Sequence, residues 1–372
     1  MNGYAAHLLA LAIDQLFPSC VREGCVLTDS TFFYSFQYSG SIPQDFLPYI
    51  EEKIRGYLKN KPSYRVQAMV PSNAADLFKS EGQPVLAERC LDEQGEVEVV
   101  KIGDIYDLGG GEPCSFYFKL LKISQEGNLY EVEGVALDDE KKLKGFVKTW
   151  KAFNKIDLSK HVIEGDDSLF FLPKGMAVKE KLLGLIPYED EALPVEGDMA
   201  PYEVLKELNL RKWPLILQNR NESWLVYPVK EFEQACRSSL QRIAKTVNIL
   251  SFETQVTLCG LRPLNDVSEW VKECWLLAAK TLETGLKELN LPYDIEKGKR
   301  ALGPKVKITL FDKLGNRFEG PWLEIDCITS EKLSRENNAP PEGCVLMTRN
   351  LLPDFDQLTL KMIEKLLLEE LV

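Results

Sequence analysis

The sequence predicts an α+β fold in two consecutive domains, divided in the polar stretch from Asn154 to Asp167. Three observations predict it: helical apolar spacing at both ends of the chain, short strand-like runs grouped around a glycine-rich loop, and a hairpin signature late in the second half.

The elements follow in order. Ala5, Leu8, Leu9, Ala12, Ile13 and Leu16 fall on one face at helical spacing, so a helix is expected up to about Pro18. Thr31 to Phe36 is an aromatic, strand-like run. Leu47, Ile50, Ile54 and Leu58 mark a second helix from about Gln44 to Lys59. Strands are expected over Tyr64–Val70, Val97–Lys101, Phe116–Lys122 and Leu129–Val135, with the loop Asp107-Leu108-Gly109-Gly110-Gly111-Glu112-Pro113 among them. Beyond the boundary, Ser168 to Ile186 reads as strand, turn and helix around Pro173-Lys174-Gly175. Pro187 to Pro201 is acidic and proline-rich, an expected exposed loop. Helices are expected over Val229–Asn248, Val267–Leu289 and Asp356–Leu371, and a strand over Thr254–Leu258. Val306–Phe311 and Arg317–Asp326 alternate apolar and polar about Lys313-Leu314-Gly315-Asn316, which predicts a hairpin.

Composition narrows the classes. Of 372 residues, 45% are hydrophobic and 27% charged, the balance of a globular chain with a sizeable core. The opening residues have no basic region and carry Asp14 inside the apolar stretch, so no signal peptide is expected. No apolar run reaches bilayer length. The expected setting is cytoplasmic, without a membrane partner. A formal net charge of −12 means the surface as a whole does not attract phosphate, although a local basic patch is compatible with it. The cluster Lys141-Lys142-Leu143-Lys144 reads as a solvated face. Nine cysteines without a CxxC pair suggest reduced, mostly buried thiols. His7 and His161 are the only histidines, which excludes a zinc site built from several.

Four segments in fixed order carry a family resemblance: Ala5-Ala6-His7-Leu8-Leu9-Ala10, Phe32-Phe33-Tyr34-Ser35-Phe36, Asp107-Leu108-Gly109-Gly110-Gly111 and Phe118-Lys119-Leu120-Leu121. Together they resemble the second additional, editing domain of threonyl-tRNA synthetase, shared with alanyl-tRNA synthetase. The second half continues the likeness. Phe171 to Gly175, Tyr227 to Glu233, Phe252 to Pro263, Leu302 to Lys307 and Trp322 to Asp326 look like segments of that family's class II core. The resemblance implies an editing-type domain over 1–155, then a shortened class II antiparallel sheet with flanking helices over 156–372. The family's ubiquitin-like N-terminal domain and its anticodon-binding domain are not expected here.

The same resemblance shows what is changed. The editing site of the family uses histidines, a cysteine, a lysine and an aspartate to hydrolyse mischarged tRNA. Its first histidine falls at Gly3, its lysine at Leu86, its cysteine at Gly109 and its last histidine at Pro113. His7 and Asp107 match, and Cys114 is a possible shifted substitute. Apart from that role, His7 reads as a helix residue at a cleft edge and Asp107 as a turn or cap former. In the class II core, the interval that holds the ATP-gripping motif is too short. One zinc-ligand position is Thr348, a motif glycine is Pro353 and an ATP-binding arginine is Gln357. An acidic position is reversed to Lys307. Lys305, Glu324, Asp326 and Arg349 are the remaining ligand-binding candidates, and Lys305 and Asp326 also read as solvent-facing turn and strand residues.

Loss of each electrostatic donor typically costs about 3–4 kcal/mol of transition-state stabilisation. The resemblance with these losses therefore implies a pseudo-enzyme with a binding or regulatory role. Aminoacylation is not expected, nor is zinc or ATP as a cofactor, nor a metal site. The implied partners are a second copy through the class II-like domain, a genuine synthetase or other protein, or tRNA. Two alternatives stand beside it: a trans-acting aminoacyl-tRNA hydrolase using His7, Asp107 and Cys114, and an amino-acid ligase in which Arg220, Arg262 and Arg349 supply phosphate contacts.

Overall fold

The computed structural model describes the chain except for residues 166–168, 185–192, 195–213, 219–221, 297–301, 337–341 and 372. It divides into two compact units, Met1–Asn154 with Leu314–Asn316, and Lys155–Lys313 with Arg317–Val372.

The first unit runs α1 (Asn2–Leu16), β1 (Val21–Leu27), β2 (Phe32–Gln37), α2 (Leu47–Asn60), β3 (Tyr64–Met69), α3 (Pro71–Ser80), α4 (Pro84–Asp92), β4 (Val97–Ile102), β5 (Ile105–Leu108), β6 (Tyr117–Glu126), β7 (Leu129–Leu137) and α5 (Glu140–Phe153). An antiparallel sheet in the order β1-β2-β7-β6 and a smaller one in the order β3-β4-β5 share it. α1 is buried without interruption from Tyr4 to Ile13, because it is apolar on all sides and packs between the sheets. In β2 the alternation is strict: Phe32, Tyr34 and Phe36 face the core, and Phe36 stacks with Phe17 and Tyr130.

Five elements of this unit, β1, α3, α4, β5 and α5, have no counterpart in the sequence reading. α3 and α4 each begin on a proline, a start suited to its fixed φ. Their apolar stripes are one turn long, Ala74-Ala75-Phe78 and Leu86-Ala87-Cys90, too short to show a period.

The second unit contains β8 (Val162–Glu164), β9 (Leu169–Phe171), α6 (Pro173–Leu183), β10 (Leu193–Pro194), β11 (Leu215–Gln218), β12 (Glu222–Pro228), α7 (Val229–Leu250), β13 (Glu253–Cys259), α8 (Glu269–Glu288), β14 (Asp294–Glu296), β15 (Lys305–Phe311), β16 (Arg317–Asp326), α9 (Cys327–Glu336), β17 (Cys344–Asn350) and α10 (Phe355–Leu371). Its main sheet has the order β10-β11-β12-β17-β16-β15-β13-β14, antiparallel except for the edge pairs β10/β11 and β13/β14. The hairpin is β15–β16, its tip turned by Gly315 at φ +88°. α7 lays Phe232, Cys236, Leu240 and Ile243 against the core, and α8 adds Trp275, Leu282 and Leu286. Most of the acidic loop Pro187–Pro201, and Arg220, lie outside the described residues.

The chain is thus mixed α/β with antiparallel sheets. No helix among the described residues is long and apolar enough to cross a membrane.

Candidate functional site

In the first unit, α1 places His7 and β5 places Asp107, opposite Val100 of β4. Neither is at a cleft edge or a turn: both are wholly buried, which corrects the sequence reading of each. His7 Nδ1 lies 3.1 Å from Asp107 Oδ2. With a carboxylate as partner, Nδ1–H is the donor, and in the neutral ring the lone pair is then on Nε2. The Tyr34 hydroxyl donates to Asp107 Oδ1 at 3.2 Å. Burial first, then the Asp107 charge, pushes the Tyr34 phenol well above its ordinary pKa, so it stays a donor.

A buried cation borders this pair. Arg22 is 1% exposed and donates from Nη1 to the Tyr106 carbonyl at 2.7 Å. Burial works against its charge, but Tyr34, Asp107 and Asp14 outweigh that and raise its pKa further. Tyr34 and Arg22 escaped the sequence reading. The one available signal was Tyr34 itself, a phenol in an all-core register that needs a partner.

His7 Nε2 is buried and has no hydrogen-bond partner among the described residues. Such an orphan typically costs about 1–3 kcal/mol. Above it runs the glycine loop. A Cβ on Gly109, at φ +114°, would sit 3.7 Å from Nε2. A Cβ on Gly3 would come within 3.2 Å of the Gly110 carbonyl, so the loop has settled into space that a longer side chain at position 3 would need. Leu86 is wholly buried in the small core with Phe78 and Cys90.

Cys114 does not join the His7–Asp107 pair. It is half-buried and lines a separate cleft of about 370 Å³ with Tyr4, Leu58, Lys61, Pro113 and Phe116. Tyr64 is nearby, its hydroxyl buried without a partner among the described residues and its pKa pushed up to about 12, first by burial and then by Tyr4 and Asp107.

In the second unit the candidates are taken up by the sheet. Lys305 of β15 faces Glu324 of β16, with Nζ 3.0 Å from Oε2 and 3.9 Å from the Trp322 ring centre. Lys307 lies 3.7 Å from Glu296. Asp326 is 9% exposed and accepts hydrogen bonds from Thr329 N and Oγ1 at 2.8 and 2.6 Å, capping α9. Burial raises its pKa, and the Thr329 bonds oppose that. Lys305 and Asp326 are therefore not the solvent-facing residues read from sequence. Arg349 is 2% exposed and donates to Ser239 Oγ at 3.3 Å, whereas Arg262 is exposed after β13. Thr348 stands between Trp224 and Glu324 in the ladder. A neutral hydroxyl there does not fit a zinc ligand, and among the described residues no three of His, Cys, Asp or Glu gather to hold a metal.

No protein-family model matches the chain. A threonine–tRNA ligase of Carboxydothermus hydrogenoformans is 24% identical over 420 residues, covering 88% of this chain and 66% of that protein. The corresponding ligase of a Sulfurovum species is 22% identical over 446 residues, covering 95% and 73%. That of Borrelia turicatae is 22% identical over 418, covering 86% and 71%. The chain thus spans roughly two thirds to three quarters of the length of these relatives. A solved RNA binding domain of threonyl-tRNA synthetase from Cryptosporidium parvum superposes with a TM-score of 0.44 at 14% identity, over 59% of this chain and 72% of that one. A putative threonyl-tRNA synthetase from Aeropyrum pernix gives 0.31 at 13%, over 60% and 53%. By its sequence relatives the chain is aminoacyl-tRNA synthetase-like. Within that class it is a divergent relative of the threonyl-tRNA synthetases.

Proposed function

We propose that this chain is a threonyl-tRNA synthetase-like pseudo-enzyme with a binding or regulatory role, made of an editing-type domain and a shortened class II-like sheet. The observation that supports this most is the ion pair Lys305–Glu324, locked over Trp322. Two charges that could grip a polar substrate neutralise each other inside the sheet. Asp326 and Arg349 are likewise engaged in a helix cap and a buried contact with α7. Adenylation rests on positioned charge at the phosphates, and these side chains serve the scaffold instead. Partners in keeping with the reading are a second copy of the chain, a full-length synthetase or tRNA. ATP–pyrophosphate exchange with each amino acid tests it. No exchange above buffer is expected, and clear exchange with any amino acid overturns the reading.

One observation favours a second reading, a hydrolase acting on aminoacyl-tRNA in trans. Asp107 orients His7 so that its Nε2 is unpartnered, the arrangement of a general base, here closed off from solvent beneath the glycine loop. Water adding to the ester would give its proton to Nε2, and the departing ribose oxygen would take it back. Hydrolysis of seryl-tRNA by the native chain, lost in a folded His7→Ala variant, would establish this reading. Silence of the native chain dismisses it.

A further inference from the structure

The sequence from Lys141 to Asn154 holds five lysines and no acidic residue, in a chain of net charge −12. It makes up α5 after that helix's first residue, Glu140, together with its C-cap Asn154, and α5 packs on β6 and β7. The inward face is Leu143, Phe146, Val147 and Trp150, with Trp150 Nε1 donating to Glu133 Oε1 at 3.0 Å. Lys141, Lys144, Lys148 and Lys151 are spaced three, four and three apart, so they line the opposite face as one stripe. At 1.5 Å per residue the stripe is about 15 Å long. All four are exposed.

Helix stability does not account for this arrangement. Like charges three and four residues apart destabilise a helix. Lys144 has Glu140 at 2.8 Å, and the neighbouring Lys142 has Asp138 at 3.1 Å. Lys141, Lys148 and Lys151 have no carboxylate at ion-pair distance among the described residues. We infer that the outward face of α5 is an electrostatic docking surface for the phosphate backbone of a duplex nucleic acid.

The face itself argues for that partner. No large apolar side chain of α5 is exposed. A protein interface needs apolar or aromatic anchors at its centre, and a helix lying in a membrane surface needs an apolar face to bury. A face of regularly spaced cations without anchors matches a polyanion bound through its backbone, with counterion release as the driving force. The surface deepens the binding role proposed above and rests on it. That role is tested by aminoacyl chemistry and this surface by nucleic-acid affinity, so either can fail alone.

The test is fluorescence anisotropy of the full chain with a labelled RNA duplex two helical turns long, and with DNA of the same sequence, between about 50 and 200 mM salt. Log K should fall linearly with log salt. Lys148→Gln/Lys151→Gln should flatten that slope by about 2 and weaken binding at least tenfold at about 0.1 M salt. Lys148→Arg/Lys151→Arg should bind as the native chain does. The tighter of the two duplexes identifies the source of the phosphates. No binding of either duplex at low salt, an unchanged slope in the Gln pair, or equal competition by poly-glutamate would overturn the proposal, the last in favour of an acidic protein.

Discussion

Burial sorts the thiols of this protein by reactivity. Cys25 and Cys114 are half-buried, and the other seven cysteines are buried. Burial first, then the Asp107 charge, pushes the Cys25 thiol up to about 11, and burial alone accounts for most of the rise at Cys236, to about 12. The thiolate is the nucleophile, so at pH 8 about one part in a thousand of Cys25 is reactive. Cys114 opens into the cleft beside Lys61. Iodoacetamide at pH 8 should therefore modify Cys114 first, read by peptide mass spectrometry, and Cys25 labelling should climb about tenfold per pH unit up to pH 11. Equal labelling of the two at pH 8 would contradict this ordering. At the same scale, His7 and Asp107 were legible as a pair of candidates because they sit in recognisable segments. Their burial and their bond were not legible, since the contacts join positions 100 residues apart, and Tyr34 reaches Asp107 across 73. Nor does the sequence announce that Lys305 is spent on Glu324, because either charge alone reads as available.

Elements whose signal is local were read well. α7 and α8 repeat their apolar residues over five turns or more, and the β15–β16 hairpin combines two alternating strands with a glycine turn. α3 and α4 were missed because one apolar turn cannot establish a period. β17 was missed because four consecutive core residues, Cys344 to Met347, show no alternation when both faces are covered. Caps are a further local signal. Ser268 lies one residue before α8 and accepts the Val271 N–H at 3.2 Å, with Glu269 in the first turn beside the helix dipole. Ser268→Ala should lower stability by about 1 kcal/mol, measured as a shift of the urea midpoint with unchanged slope. A change in slope would mean that the substitution alters the unfolded ensemble or breaks the cooperative unit.

At the scale of the molecule, the two units differ in how they are made cohesive. The first has α1 between its sheets, buried from Tyr4 to Ile13, with aromatic stacking of Phe17, Phe36 and Tyr130 and a polar centre at Asp107. The second packs α7, α8 and α10 on its broad sheet in a core with residues of its own. Net charge, the coarsest reading of the sequence, concealed the lysine stripe, because −12 summed over 372 residues says nothing about one helix face. Separate cores predict separate transitions, since cooperativity extends as far as shared burial. The tryptophans make this measurable: Trp150 belongs to the first unit, and the other five of the six lie beyond it. A fragment of residues 1–154 should fold alone, giving a cooperative urea transition by Trp150 emission with a slope of about 1–3 kcal/mol/M. Its midpoint should reappear in the full chain by near-ultraviolet dichroism, apart from the midpoint reported by the remaining tryptophans. A fragment without near-ultraviolet signal, together with a single coincident transition in the full chain, would show that the first core depends on the second for its stability.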